Sequence, residues 1–335
     1  MIYPDKINKN ETIGVTATSM GITNNFDKER LTRAINKINK LGYNVINTNN
    51  VFSNYKFTSS DPKTRAKEFL DLWKNKDIKV ISLVRGGELL NEIIPYIDDK
   101  IILNNSPKWV FGYSDSSLLN LYLTTKYNIA TINSSNILQF SINNLDRTFI
   151  DIFKCFNEKE IVQESFKRYE KEKLKNSFNY NLTGKVLYKS LYNNDVTIKG
   201  ILLGGCLEAI TEILGTKYDF VYQFVFHSSD KILWYLDIYD SDPLTLYRKL
   251  WQMKEANWFY NISGVIIGRT KSVKRVGDFT YLDSLHRIFD DMNIPVIYDV
   301  DIGHVMPQFS IINGSLGTFI YKNNKGILKQ EKFNE

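Results

Sequence analysis

Over its first 130 residues the chain repeats one pattern: a short apolar, β-branched stretch followed by a polar one in which apolar side chains return every three or four positions. Ile13-Gly-Val-Thr-Ala-Thr predicts a strand, and Leu31, Ala34, Ile35, Ile38 and Leu41 share one face of a helix over 26–41 that stops at Gly42. The next strand spans Tyr43 to Thr48, and Asp61-Pro62 opens a helix, because proline in a first turn removes no helical hydrogen bond. Val80-Ile-Ser-Leu-Val runs into Arg85-Gly86-Gly87 and a helix over 88–97, and Trp109-Val-Phe-Gly enters Tyr113-Ser114-Asp115 and a helix over 116–126. Strands and helices alternating at this spacing predict an α/β domain, a doubly wound parallel sheet with right-handed crossovers. Such sheets bind ligands beyond the carboxyl ends of their strands.

The polar stretch 158–181, with mixed charges from Lys167 to Lys175, reads as a linker between an N-terminal domain over 1–157 and a C-terminal domain over 182–335. Past it the pattern loosens: Lys185-Val-Leu-Tyr, the pair Gly204-Gly205, a helix over 207–214 closed by Gly215, then a strand over 231–238. A helix over 243–256, a strand over 264–268, a helix over 281–292, a strand over 295–299 and short β segments to Ile327 complete a second, α+β domain. No internal repeat of roughly 20 to 50 residues is visible.

Composition narrows the classes. With 335 residues, 43% hydrophobic and 24% charged, the chain suits one large or two medium folded domains. No apolar run approaches the roughly 20 residues that cross a bilayer, and Met1 to Ile13 carries no secretory signal, so a soluble, cytoplasmic protein without a membrane partner is expected. The net charge of +6 comes from scattered lysines, which argues against a nucleic-acid partner and suits small anionic substrates. Cys155 and Cys206 lie far apart and read as inert core thiols. Neither zinc-ligand spacing nor a phosphate-binding glycine loop is present, so no metal or organic cofactor is expected.

The sharpest local feature is Gly112-Tyr113-Ser114-Asp115-Ser116, where an apolar strand turns abruptly into an apolar helix. A hydroxyl there stands above the sheet edge beside free backbone N–H groups, which makes Ser114 a candidate nucleophile. The alternative is that Ser114 or Asp115 only caps the helix. A serine nucleophile needs a base, and the chain has three histidines. His286 lies in an amphipathic helix and His227 in an apparent turn, both suited to structural roles, whereas His304 follows a strand in the loop Asp301-Ile-Gly303-His304. Asp237, where the apolar strand Ile232-Leu-Trp-Tyr-Leu emerges, could orient an imidazole or simply end the strand.

These features occur in one order with others: Thr12-Ile-Gly-Val-Thr-Ala-Thr-Ser, Arg85-Gly86-Gly87 with Ile94-Pro-Tyr-Ile-Asp98, Gly112-Tyr-Ser-Asp115, Leu203-Gly-Gly-Cys-Leu with Leu214-Gly-Thr216, Leu246-Tyr-Arg248 ahead of Leu250-Trp-Gln, and Gly303-His304. Together they resemble the LD-carboxypeptidase family of serine peptidases, which includes the microcin C immunity peptidases, over about Tyr3 to Lys325. The resemblance implies a Ser-Glu-His triad. Ser114 would be the nucleophile and His304 the base, with the Asp115 and Gly87 N–H groups as oxyanion hole. Asp237 stands where relatives carry glutamate, one methylene shorter. The implied partner is a small peptide, either a muropeptide whose terminal D-amino acid is removed in wall recycling or a peptidyl-nucleotide. For the latter, Trp251 and Trp258 are candidate stacking surfaces or core residues. A non-catalytic peptide-binding protein is the third reading. The family also implies a homodimer, although no stretch identifies an interface.

Overall fold

A computed structural model of the chain describes residues 1–143 and 147–333. The first half follows the predicted alternation: β1 (Thr12–Thr16), α1 (Asn25–Lys40), β2 (Asn44–Asn47), α2 (Pro62–Lys74), β3 (Ile78–Leu83), α3 (Asp99–Leu103), β4 (Trp109–Gly112), α4 (Ser116–Tyr127), β5 (Thr131–Asn133) and α5 (Arg147–Asn157). These strands are parallel in the order 2-1-3-4-5. That order reverses at β1, so β1 and β3 send their connections to opposite sides and leave a crevice at their carboxyl ends. Asn24 and Asp61 cap α1 and α2 through their side chains, at the boundaries the pattern indicated.

The helix predicted over 88–97 is instead a 3-10 segment, Leu90–Tyr96. Pro95 lies inside it, and in an α-helix its ring would collide with the carbonyl four residues back.

The second half builds β6 (Glu160–Glu164), β7 (Arg168–Tyr169), β8 (Gly184–Lys185), β9 (Lys189–Ser190), β10 (Val196–Cys206), α6 (Leu207–Ile210), α7 (Val221–His227), β11 (Ile232–Asp237), α8 (Pro243–Glu255), β12 (Ile262–Gly268), the hairpin β13 (Arg275–Val276) and β14 (Phe279–Thr280), α9 (Tyr281–Phe289), β15 (Val296–Val300), β16 (Ile311–Asn313), β17 (Leu316–Lys322) and β18 (Lys325–Glu331). Eight of these strands form one mixed sheet in the order 6-18-17-10-11-12-15-9, with a parallel centre of β10, β11, β12 and β15. The fold is thus a two-domain α/β arrangement, a doubly wound N-terminal sheet and an α+β second half.

Two segments ignore that division. Within 158–181, read as linker, β6 pairs with β18, and β7 pairs with β8. The alternation in β6 buries Ile161 and Gln163 while Val162 faces water, and Gln163 exchanges hydrogen bonds with the backbone of Ser310 at 2.9 and 2.8 Å. Conversely, β16 leaves the second half and pairs antiparallel with β5, adding a sixth strand to the first sheet.

The halves meet on α4, where every residue except Lys126 is buried. A helix buried all round needs neighbours on all sides. Its Leu118, Leu121 and Tyr122 belong to one core with Ile201, Leu207, Ile210 and Trp234 from the second half. Each glycine of β10 permits a close approach, Gly204 to the neighbouring strand β11 and Gly205 to α4. A Cβ on Gly204 would stand 1.8 Å from the Tyr235 carbonyl oxygen, and one on Gly205 would stand 2.5 Å from Ser117 Cβ on α4. Gly205→Ala therefore overpacks the junction and should lower stability by about 1–3 kcal/mol, read by urea denaturation; an unchanged midpoint would show that α4 and β10 can separate at no cost.

Candidate active site

Ser114 sits between β4 and α4 with φ +66, a left-handed conformation that serine seldom adopts. The turn is held from both sides, as Ser117 N–H donates to the Ser114 carbonyl at 2.9 Å and Tyr113 N–H donates to Asn136 Oδ1 at 3.3 Å. Asp115 occupies the N-cap position but makes no cap bond with its side chain. Its buried carboxylate accepts from Leu90 N–H at 3.1 Å and from the Ser19 hydroxyl, joining the loops after β1 and β3 to the Ser114 turn. Burial pushes this carboxyl up to about 6, against the two hydrogen bonds that favour its charged form. Beneath these loops the buried Arg65 of α2 donates to the carbonyls of Thr18 at 2.8 Å and Leu89 at 3.0 Å, and pairs with Glu92.

His304 Nε2 lies 3.0 Å from Ser114 Oγ, across 190 residues of sequence. On its other side Nδ1 lies 2.7 Å from Asp237 Oδ2, a short contact that is off the line of a straight hydrogen bond. The same carboxylate accepts from His304 N–H through Oδ1 at 3.3 Å. Gly303 makes room for it: with φ +84, any Cβ here would fall 1.8 Å from Asp237 Oδ1. Burial works against a charged imidazole, but the Asp237 charge and contact, with Glu208 beyond, hold His304 above its ordinary pKa. The ring is flanked by Tyr113 at 5.0 Å and Tyr239 at 4.5 Å between centroids.

The glycine turn reaches the same atoms. A Cβ on Gly86 would lie 2.8 Å from Ser114 Oγ and 3.3 Å from the Asp115 nitrogen, whereas one on Gly87 would meet Ser19 and Met20. The structure thus brings Ser114, His304 and Asp237 together with the Gly86-Gly87 turn and Asp115. His227 ends α7 rather than occupying a turn, and His286 pairs with Asp290 at 2.9 Å; neither contacts Ser114. Trp258 is fully buried and stacked on Trp234 at 5.9 Å, Trp251 is half exposed on α8, and neither lines the cleft that holds His304.

Three supports carried no local signal. Glu208 of α6 accepts the backbone N–H groups of Tyr239, Asp240 and Ser241 at 3.0–3.3 Å and the Ser241 hydroxyl at 2.5 Å, fixing the loop after Asp237. Although burial opposes it, these donors hold the Glu208 carboxyl below its usual range. Asp301 anchors the histidine loop: it binds Arg269 at 2.8 Å, the Tyr188 hydroxyl at 2.6 Å and Phe166 N–H at 2.8 Å. The third support is the polar segment around Lys173, which walls a cleft of about 550 Å³ in front of His304 together with Arg30, Arg85, Tyr113 and Glu170. Asp27 bridges the two arginines at 3.2 and 3.1 Å.

Residues 13–134 match the family model of the LD-carboxypeptidase N-terminal domain, and residues 199–319 match that of its C-terminal domain. The Microcin C7 self-immunity protein MccF of Escherichia coli is 24% identical, covering 96% of this chain and 94% of that one. A solved structure of MccF in complex with aspartyl sulfamoyl adenosine superposes with TM-score 0.82 at 22% identity, covering both chains completely. Muramoyltetrapeptide carboxypeptidase from Oxalobacter formigenes gives 0.75 at 18%, over 97% of this chain and 100% of that one. These superpositions establish a shared fold.

Because a raised carboxyl prefers its protonated form when folded, Asp115 favours the native state below about pH 4 and loses that contribution as pH rises to about 6. Wild type should therefore lose up to about 3 kcal/mol relative to Asp115→Asn across this window, measured as the difference in unfolding free energies. A difference independent of pH would mean that the carboxyl ionises equally well folded and unfolded.

Proposed function

Because the chain belongs to the LD-carboxypeptidase family, we propose that it is a serine peptidase acting by acyl transfer, and that its substrate is a small peptide rich in carboxylates. The observation that carries this reading is the continuous path from Ser114 Oγ to His304 Nε2 at 3.0 Å and from Nδ1 to Asp237 at 2.7 Å, opening onto the cleft. His304 takes the hydroxyl proton as Ser114 attacks the scissile carbonyl, and the Asp237 charge stabilises the imidazolium that forms. The negative oxygen of the tetrahedral intermediate is received by the Asp115 and Gly87 N–H groups. The proton then passes to the leaving amine, and water, activated by the same imidazole, releases the acyl group.

For the substrate, the cleft brings Arg30, Arg85, Lys173 and Lys175 against Asp27 and Glu170 among the described residues. That surplus of cations complements the several carboxylates of a muropeptide and favours release of a terminal D-amino acid from an L,D-tetrapeptide. A second reading, cleavage of a peptidyl-nucleotide amide, is supported by Phe26, Tyr113 and Tyr180 in the cleft wall, where an aromatic base could stack.

A serine-directed acylating probe should label wild type at Ser114 and leave Ser114→Ala unlabelled; no labelling would favour a non-catalytic peptide-binding protein. Release of D-alanine from an L,D-tetrapeptide, with a peptidyl-nucleotide mimic left intact, would decide between the substrates. His304→Ala should lower turnover about 10⁴-fold or more with little change in stability. Asp237→Glu should retain more activity than Asp237→Ala, since only the former keeps the charge. Equal, severe losses would remove the orienting role from this position.

A further inference from the structure

Parallel pairing of β10 with β11 sets Cys206 directly beside Asp237, at the ends of both strands. The Cys206 sulfur, an Asp237 carboxylate oxygen and a His304 ring nitrogen all lie within 4.8 Å of one another. Glu208 Oε2 is 3.3 Å from that sulfur. From these positions we propose that Cys206, Asp237 and His304 form an inhibitory three-residue site for a zinc ion, with Glu208 behind the sulfur.

The geometry is close to that of a bound ion. Three atoms separated by at most 4.8 Å fit within about 2.8 Å of one common point, against about 2.0–2.3 Å for bonds from zinc to nitrogen, oxygen or sulfur. Small shifts complete the site: the sulfur closes on the other two atoms, and the Nδ1–Oδ2 contact, 2.7 Å here, opens to about 3.3 Å, the edge of a tetrahedron with bonds of about 2.0 Å. Thiolate, imidazole and carboxylate together suit zinc, whereas magnesium and calcium prefer oxygen alone. The electrostatics point the same way, since Asp237 and Glu208 are carboxylates brought beside a single imidazole. Asp237 Oδ2 also lacks a straight hydrogen bond to any partner among the described residues, so it has lone-pair capacity to give, and His304 Nδ1 gains a lone pair once its proton shifts to Nε2. At rest, burial and the neighbouring carboxylates keep the Cys206 thiol protonated, far above its ordinary pKa. A dication reverses that local field and draws off the thiol proton. His304, at the cleft wall, offers the route in.

Inhibition follows from proton placement, and this part rests on the serine-peptidase reading. Zinc on Nδ1 moves the imidazole's one proton to Nε2, the nitrogen that must accept from Ser114. The thiol proton leaves to solvent, so one proton is released for each zinc bound. The base is occupied while the metal stays.

The test uses the full chain stripped with a chelator. Calorimetry with zinc chloride should give one site, an indicator dye should report about one proton released, and cobalt should produce a thiolate-to-metal charge-transfer band. Zinc should block labelling of Ser114 by the acylating probe, and chelator should restore it. Cys206→Ala should lose the band and bind zinc at least tenfold more weakly while remaining labelled in its presence; Cys206→Ser, which keeps the volume, serves the same purpose should alanine fail to fold. Undiminished zinc binding in these variants, or no cobalt band in wild type, would overturn the proposal. A wild type that resists the probe even without zinc would sink the peptidase reading alone, since calorimetry and the cobalt band judge the metal site independently.

Discussion

The site depends on the burial of α4 from both halves of the chain. Ser114 lies at its N-terminal approach, and its packing against β10 and α6 decides how far Ser114 stands from the loop that carries His304. Because the contact is a shared core rather than a hinge between two finished surfaces, the distance from hydroxyl to imidazole is set by side-chain volumes on either face of one helix. Gly205 of β10 matters for the same reason: it removes the atom that would otherwise hold the halves apart.

Around this junction, buried carboxylates organise the loops. Asp115 gathers Ser19 and Leu90, Glu208 gathers the three N–H groups after Tyr235-Leu236-Asp237-Ile238, and Asp301 gathers Arg269, Tyr188 and Phe166. Each satisfies several donors that would be costly to leave unpaired away from water. Asp237 is the exception in its geometry. It rests on Gly303 and takes the His304 backbone N–H, so its oxygen reaches Nδ1 from an angle. An aspartate here makes the contact short, and it does so by pressing on a glycine that leaves space for nothing else.

Much of this was legible in the sequence because the signals were local. The β4-to-α4 turn announced Ser114 by an apolar strand meeting an apolar helix within a few residues, and Gly303-His304 and Asp237 sat at strand ends where an α/β sheet exposes its chemistry. What stayed hidden depends on partners far along the chain. Gln163 reads as polar linker until Ser310, 147 residues away, is placed beside it. Glu208 looks like an ordinary helical surface residue until the loop at 239–241 folds over it. Pro95 shows the opposite failure, in which apolar periodicity suggested an α-helix that the proline ring forbids.

The position of β16 has a consequence for biosynthesis. The first sheet ends at β5 with an exposed row of unpaired N–H and C=O groups until Ile311–Asn313 arrives to cover it. A ribosome must therefore make nearly the entire polypeptide before the β5 edge of this sheet is covered, and during that interval the bare edge is open to pairing with other nascent chains. Premature termination anywhere before residue 311 would leave that edge open permanently, so even a truncated product that retained all five parallel strands would be prone to aggregate.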